Sequence, residues 1–346
     1  MQKITTASAD DPTAVSRKHD HIALAMRSQV SHGDLDARFY YEPMLSGHPV
    51  AGSWPVFPFL GKTLQVPMWV SSMTGGTKLA GIINRNLARA CHEFGMGMGL
   101  GSCRALLYSD EHLADFDIRD QIGDDVPLFA NIGIAQLERL IDEDELWRVS
   151  ALLTTLRADG LIVHVNPMQE WMQPEGDVFS RPPLETILTL LGSFPGISLV
   201  VKEVGQGFGP ESLRALLQLP LAAIDFAAGG GTNFAKLELF RADEARRQAA
   251  MPLVYVGHTA EQMMRWTNDL VVELGDKVRC RSVIISGGVR DYLDGYYLTE
   301  SSILPSVYGQ ASAFLTYAQG DYRALHDYIA AQVRGLEVAR AYLRVR

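Results

Sequence analysis

The sequence predicts an α/β fold, a (β/α)8 TIM barrel that follows an N-terminal extension. Eight short and nearly continuous apolar runs recur along the chain, and stretches of helical character separate them. Such runs are typical of parallel strands buried on both faces. Right-handed crossovers between eight such strands close them into a barrel. We therefore expect residues 1–60 to form an arm or cap and residues 61–346 to form the barrel.

Each element is predicted from local pattern. The apolar runs place strands at 66–72, 95–103, 127–133, 160–166, 198–205, 222–228, 281–288 and 311–318. A helix is predicted over Lys78–Phe94, with its N-cap at Thr77 and its end at Gly95. Further helices are predicted over Pro210–Leu217 and Asp321–Arg344, and residues 234–276 make a long sixth crossover.

Composition excludes several classes of protein. The chain has 346 residues, of which 47% are hydrophobic, so it can bury a large core. Its 31 basic and 40 acidic residues leave a net charge of −9, which argues against a nucleic-acid partner. Three distant cysteines (Cys91, Cys103 and Cys280) form neither a disulfide framework nor a zinc site. With no apolar leader or membrane-crossing run, we predict a cytoplasmic protein with no membrane partner.

Polar side chains cluster where the predicted fourth strand ends. His164, Asn166, Gln169 and Glu170 follow this strand within a few residues. Active sites of (β/α)8 barrels lie at the carboxyl ends of the strands, so these residues are candidates for chemistry, although a solvated polar loop is the alternative. Glu170 could hold a magnesium ion, because hard cations are often shared between a carboxylate and a substrate phosphate.

The fifth strand ends in a lysine that burial would penalise. Strand alternation directs Lys202 and Glu203 to opposite sides. A lysine inside a barrel is costly unless an anion pairs with it. Lys202 therefore either pairs with Glu203 or faces an anionic cofactor.

Glycine-rich segments follow the sixth and seventh strands, at 229–232 and 287–290. Glycines let backbone N–H groups approach an anion closely, and Arg290 adds positive charge. These segments predict a phosphate site, with tight turns as the alternative. Arg104 is either a second anion site or a surface residue, and the polar stretch that contains Arg17 and Lys18 reads equally as a solvated face.

Taken in order, these motifs resemble the type II, FMN-dependent isopentenyl diphosphate isomerase family. The resemblance is carried by RKHDHI at 17–22, SSMTGG at 71–76, GSCR at 101–104, NIG at 131–133, HVNPMQEWMQPEGD at 164–177, KEVGQG at 202–207, GGGT at 229–232 and SGGVR at 286–290. The sequence departs from the family at Cys103, at Asn233 and Phe234, and after Arg290. Gly309, Gln310 and Ala311 are then candidates for the second half of a phosphate cradle.

The resemblance implies an isomerase of isoprenoid biosynthesis that interconverts isopentenyl and dimethylallyl diphosphate by proton addition and elimination. It implies reduced FMN and Mg²⁺ as cofactors, NADPH as reductant, and a homo-oligomer of four or more subunits in which a neighbour supplies the Arg17–Lys18 pair. The implied catalytic residues are Gln169, His164 and Lys202. The implied substrate ligands are Arg17, Lys18, Ser102, Arg104, Asn166 and Gln169. The implied FMN ligands are Ser72, Met73, Thr74, Asn131, Lys202, Thr232, Gly287, Gly288 and Arg290, and Glu170 is the implied magnesium ligand.

Two other functions compete with this interpretation. One is an FMN-dependent oxidoreductase of the 2-hydroxy-acid oxidase type, which requires a histidine base and an arginine for the substrate carboxylate. The other is a barrel that binds a flavin or a phosphate without catalysis. The combination of Asn166, Gln169 and Glu170 argues against both.

Overall fold

A closed barrel of eight parallel strands forms the centre of the computed structural model, which describes residues 14–72 and 76–346. The strands, in chain order, are β1 (Met68–Val70), β2 (Gly97–Gly99), β3 (Leu128–Gly133), β4 (Gly160–His164), β5 (Leu199–Lys202), β6 (Ala223–Asp225), β7 (Val283–Ser286) and β8 (Ser306–Gln310). Each strand pairs with the next, and β8 pairs with β1 to close the ring. The predicted fold class is confirmed.

Seven strands lie within the predicted runs, and the eighth does not. Residues 311–318, predicted as a strand, instead contain the helix Ser312–Ala318, and β8 precedes them. The prediction was wrong because a short run of small and apolar residues suits a buried helix as well as a strand. The true strand, SVYGQ, has less apolar character, so its pattern was the weaker of the two.

Helices surround the barrel and fill its connections. Their bounds are Ala14–Leu24, Lys78–Phe94, Leu113–Phe116, Arg119–Ile122, Ile134–Asp142, Trp147–Leu156, Pro167–Met172, Pro183–Ser193, Pro210–Leu217, Phe234–Arg241, Glu244–Val254, Ala260–Leu274, Tyr292–Glu300, Ser312–Ala318 and Tyr322–Tyr342. Short 3₁₀ turns lie at Ala25–Ser28, His32–Asp34, Arg104–Leu107 and Gly275–Lys277. The long sixth crossover is thus built from three of the helices.

Local signals set the ends of the best-predicted helix. The Thr77 hydroxyl accepts a hydrogen bond from the N–H of Ala80 at 3.1 Å, and Gly95 ends the helix in the left-handed region at φ 63°. The helix Pro210–Leu217 also has its predicted bounds. The last helix ends at Tyr342, before the predicted Arg344, because residues 343–345 pair instead with Phe39–Tyr41 as an antiparallel strand.

The core fills the barrel and the layer between strands and helices. Strands β3 and β5 are buried along their whole length, and the aromatic rings of Trp69 and Phe129 pack edge-to-face inside. The three cysteines are free, and all three are buried. None of the described helices is long and apolar enough to cross a bilayer.

The segment before the barrel contrasts with this core. Every residue from 16 to 37 is exposed, including Ile22 and Met26, whose exposed fractions are 81% and 80%. Arg38 then anchors the chain through an ion pair with Asp294 at 2.7 Å. A two-stranded hairpin, Phe57–Phe59 with Lys62–Leu64, leads into β1.

Candidate active site

A cavity of about 550 Å³ opens at the carboxyl ends of the barrel strands. Its size is typical of small-molecule sites. The structure brings together there ten of the residues singled out from the sequence: Ser72, Ser102, Asn131, His164, Gln169, Lys202, Thr232, Gly287, Gly288 and Arg290. Gly309, Gln310 and Ala311 also line it, so the end of β8 contributes to the site although that strand was misplaced in the prediction.

Other predicted residues lie apart from the cavity surface. Arg104, Asn166 and Glu170 flank it and reach it through hydrogen bonds described below. Arg17 and Lys18 lie on the exposed helix Ala14–Leu24 and do not line the cavity. Met73 and Thr74 lie outside the described residues.

One side of the cavity, the side-chain wall, is built from His164 and Lys202, which line the cavity, and Asp225, which lies behind Lys202. Register places these residues side by side at the ends of β4, β5 and β6. Lys202 Nζ lies 3.0 Å from Asp225 Oδ2, and the two side chains are 8% and 0% exposed. The wall is therefore a buried ion pair beside an imidazole.

The predicted alternative of a pair between Lys202 and Glu203 is wrong. Glu203 faces the other way, and its Oε2 accepts hydrogen bonds from the N–H groups of Gly205, Gln206 and Gly207 at 2.6–2.9 Å. Sequence reasoning missed Asp225 as the partner. The available signal was a carboxylate within the apolar run of 222–228.

The imidazole of His164 is held neutral. Its Nδ1 lies 2.8 Å from Asn131 Oδ1, and the Asn131 amide nitrogen donates to the Leu100 carbonyl at 3.0 Å. Because that donation orients the amide, Asn131 Oδ1 accepts from Nδ1–H and Nε2 carries the lone pair. Burial, together with the charge of Lys202, lowers the pKa of His164 to about 4. His164 can therefore accept a hydrogen bond but brings no positive charge.

Asn166 organises the end of β4. Its amide nitrogen donates to Gln169 Oε1 at 3.1 Å and to Glu170 Oε1 at 2.9 Å. The other Glu170 oxygen accepts the N–H of Asp177 at 2.7 Å. These hydrogen bonds hold the Gln169 amide at the cavity and the Glu170 carboxylate beside it.

A second contact orients Gln169 from the sixth crossover. Gln169 Nε2 lies 3.4 Å from Glu238 Oε1, and Glu238 is buried and paired with Arg241 at 2.6 Å. Asn166 donates to the oxygen of the Gln169 amide and Glu238 accepts from its nitrogen, so the two contacts fix which way the amide points. Glu238 was missed, since a glutamate on a helix carries no signal of its own in the sequence.

Two arginines expected to bind anions already have carboxylate partners. Arg104 pairs with Asp177 at 2.5 Å, and Asp177 also accepts from Gln136 at 2.8 Å. Arg290 pairs with Asp294 at 2.9 Å although its side chain is 79% exposed. An anionic ligand would therefore either replace these carboxylates or share the arginines with them.

The opposite wall, the glycine wall, consists of the segments 229–232 and 287–290. Gly287 has φ 91°, and a Cβ there would lie 2.1 Å from the carbonyl oxygen of Ala228. Only glycine permits this approach of one loop to the other. The cavity surface on this side is largely backbone.

Two serine hydroxyls at the end of β1 have no partner within the described chain. Ser71 Oγ and Ser72 Oγ are buried, and both residues line the cavity. Buried polar atoms are nearly always hydrogen-bonded, so these two indicate a ligand. Ser71 was not among the predicted ligands.

The site has few metal-binding side chains. In the ranges 14–72 and 76–346, no three His, Cys, Asp or Glu residues lie together as a metal cluster. Glu170 therefore offers a single carboxylate, and a hard cation there requires further oxygen ligands from a substrate.

Comparison with known proteins decides the family. The chain is 34% identical to an isopentenyl-diphosphate delta-isomerase of Nostoc sp. over 92% of its own length and 89% of that protein. It is 29% identical to that of Rickettsia felis over 94% and 91% of the two chains. No family model matches the chain. The chain belongs to the isopentenyl-diphosphate delta-isomerase family. The resemblance read from the motifs is thus confirmed.

Solved structures of other proteins share the fold of this family member. A flavocytochrome b2 mutant with pyruvate bound has a TM-score of 0.60 at 15% identity, covering 88% of this chain and 72% of that one. A mandelate oxidase mutant with a monooxide FMN adduct has a TM-score of 0.50 at 13% identity, covering 89% and 88%. At these sequence identities the similarity supports only a shared barrel fold.

Proposed function

We propose that the chain is an isopentenyl-diphosphate delta-isomerase that works with reduced FMN and Mg²⁺. The observation that carries the proposal is the pair of unlike walls around one cavity in a member of this family. The side-chain wall places the Lys202–Asp225 ion pair in the site that contains Gln169. The glycine wall presents backbone N–H groups to a phosphate. This combination suits a phosphorylated cofactor and an alkene substrate together.

The residues at the cavity fit FMN. The glycine wall and the end of β8 would hold its phosphate, and Ser71, Ser72 and Asn131 offer polar atoms to its ring. Lys202 would face the anionic edge of the reduced ring. Reduced FMN, for which we propose NADPH as the source of electrons, would supply an atom, N5, that can donate and accept a proton.

The chain's own residues orient the substrate and control charge. Protonating an alkene develops tertiary carbocation character, and Gln169 has no proton that titrates near neutral pH. Gln169 therefore positions the reacting carbons, while Asn166 and Glu238 fix the direction of its amide. Ser102 and the neutral His164 would contact the diphosphate, and Glu170 would hold Mg²⁺, which would help to fix that group.

A second copy of the chain would complete the site. Three cations at or beside the cavity already pair with a carboxylate: Lys202 with Asp225, Arg104 with Asp177 and Arg290 with Asp294. A diphosphate requires further positive charge, which Arg17 and Lys18 of a neighbouring protomer would bring. Their helix has exposed apolar residues that an oligomer contact would cover. In this proposal, residues 1–60 are the arm of a homo-oligomer of four or more subunits.

Complementation tests this arrangement. Chains with Arg17→Ala and Lys18→Ala are mixed with chains carrying Gln169→Ala, each inactive by itself. If the arm acts in trans, the mixed oligomers regain activity, because some sites combine an intact arm with an intact barrel. No recovery in mixtures shown to have exchanged subunits would contradict the assignment.

The state of the three cysteines supports a proposal for the compartment. Cys91, Cys103 and Cys280 are free and buried, and burial raises the pKa of each thiol. Free thiols persist where the surroundings are reducing, so we propose a cytoplasmic location.

The direct test is isomerisation in heavy water. The protein is incubated without oxygen with FMN, NADPH, Mg²⁺ and isopentenyl diphosphate, and the products are followed by NMR. Dimethylallyl diphosphate containing deuterium is the expected product. FMN binding without conversion would overturn the proposal, and net flavin reduction by a 2-hydroxy acid would favour the oxidase alternative. The low pKa of His164 disfavours that alternative, since it makes the imidazole a weak base.

A further inference from the structure

The partner of Lys202 is a carboxylate that nothing in the motif comparison assigned. Asp225 lies at the end of β6 with a fully buried side chain. Its Oδ2 faces Lys202 Nζ at 3.0 Å, and its Oδ1 accepts a short hydrogen bond from the Ser286 hydroxyl. The N–H of Ala227 donates to that hydroxyl oxygen at 2.9 Å. Three successive strands, β5, β6 and β7, thereby hold one carboxylate in a set orientation.

The charges of the pair depend on each other. A buried charge without a partner is strongly destabilised, so the ammonium and the carboxylate stabilise each other at this depth. Lys202 Nζ and Asp225 Oδ2 form an ion pair without an aligned hydrogen bond, so the carboxylate does not use up the three N–H donors of the ammonium. Because Lys202 also lines the cavity, it can donate to a second acceptor there while remaining paired.

We propose that Asp225 is a positioning residue of this site. Its carboxylate keeps Lys202 charged and directed toward the cavity before any anionic ligand arrives. This assignment rests on the proposed function, in which the reduced ring of FMN is the second acceptor for the Lys202 ammonium. Asp225 itself acts only through the lysine, since its side chain lies below the cavity surface and does not line it.

The geometry distinguishes Asp225 from the other carboxylate nearby. Glu203 is adjacent to Lys202 in sequence, but its side chain is bound to backbone N–H groups on the far side of the strand. Asp225 is the register partner of Lys202 on the neighbouring strand. Asparagine at position 225 would keep the shape and the bond from Ser286 while removing the charge.

Chemical labelling of the cofactor-free protein tests the assignment. Acetylation of Lys202 is followed by peptide mass spectrometry in wild-type protein and in Asp225→Asn, with Lys62 as internal reference. Lys62 pairs with Asp159 at 3.2 Å, outside the cavity, and should react equally in both. Removing the carboxylate disfavours the ammonium and raises the fraction of reactive amine, so Lys202 should react at least ~10-fold faster in the variant. An unchanged rate would overturn the proposal, because a purely structural aspartate would leave this rate alone.

Ser286→Ala is the matched control. It removes the hydrogen bond to Asp225 but keeps the charge, so the acetylation rate of Lys202 should stay within about threefold of wild type. If Asp225→Asn fails to fold, adding Lys202→Met should restore folding, since removing both charges of a buried pair is tolerated far better than removing one. Failure of the double variant to fold would equally overturn the proposal.

The cofactor is tested separately. FMN added to wild-type protein should protect Lys202, and not Lys62, from acetylation. Absence of protection would contradict the proposed flavin site while leaving the result for Asp225 intact.

Discussion

The two walls of the cavity are built on different principles. The side-chain wall (His164, Lys202 and Asp225) stands on the regular ends of β4–β6, where register brings polar side chains together out of water. The glycine wall (229–232 and 287–290) stands on loops whose backbones touch. Proton chemistry needs groups whose charge is set by their neighbours, whereas a phosphate needs only close N–H groups. We therefore expect substitutions to act through charge in the side-chain wall and through backbone clashes in the glycine wall.

The largest effect is expected at the closest backbone contact. Gly287→Ala would place a Cβ 2.1 Å from the Ala228 carbonyl oxygen. The loops must separate, so FMN affinity should fall by ~100-fold or more, as expected when more than about 2.7 kcal/mol of binding energy is lost. A titration followed by flavin fluorescence measures the FMN affinity of the variant and of the wild type.

Gly196→Ala is the matched control for that change. Gly196 has a similar φ of 88°, but its Cβ would meet no atom within 4 Å. It should lose some stability from backbone strain alone and keep its FMN affinity. Equal loss of affinity in both variants would mean that the loop contact is not what holds the cofactor.

The next effect concerns the orientation of Gln169. Gln169→Glu puts a carboxylate 3.4 Å from Glu238, where the amide now donates. Repulsion should displace the side chain and lower kcat by about 100-fold, the scale of a lost positioning contact. Gln248→Glu makes the same change on the surface, where Gln248 donates to Glu244 at 2.7 Å. Steady-state kinetics of the two should differ; full activity in Gln169→Glu would remove Gln169 from the essential residues.

The pH dependence of stability reports on the side-chain wall. The folded pKa of His164, about 4, lies below the ordinary 6.5, so the unfolded chain binds more protons between these values. The free energy of unfolding should therefore fall as pH drops from 6.5 to 4, by at most about 3 kcal/mol from this group. His164→Asn should flatten that part of the curve in denaturant titrations, and His326→Asn, where the side chain is 45% exposed, should not. Identical curves for both variants would contradict a buried neutral imidazole.

The smallest effect is expected at the charge on the glycine wall. Arg290 is 79% exposed and already paired with Asp294, so Arg290→Ala should weaken FMN binding by ~10-fold at most, because exposed charge pairs contribute little. Arg323→Ala removes a comparable exposed pair, with Asp327, away from the cavity and should have no effect. A loss at Arg290 as large as that at Gly287 would show that charge, and not backbone approach, dominates this wall.

Much of this architecture was predictable from local pattern. Buried parallel strands read as apolar runs, and Thr77 and Gly95 mark the ends of their helix through chemistry that involves only a few neighbouring residues. The misplaced eighth strand marks the limit of such reasoning, since residues 306–310 form the strand although residues 311–318 are the more apolar segment.

The barrel, the ends of seven of its strands and the family could be inferred from the sequence, because each leaves a pattern in consecutive residues. Which charged groups pair depends on the folded barrel. It paired Lys202 with Asp225 instead of Glu203, set Glu238 against Gln169, and gave Arg104 and Arg290 carboxylate partners. Register across a closed barrel brings together residues that are tens of positions apart, and the energies of buried charges depend on those neighbours more than on residue type.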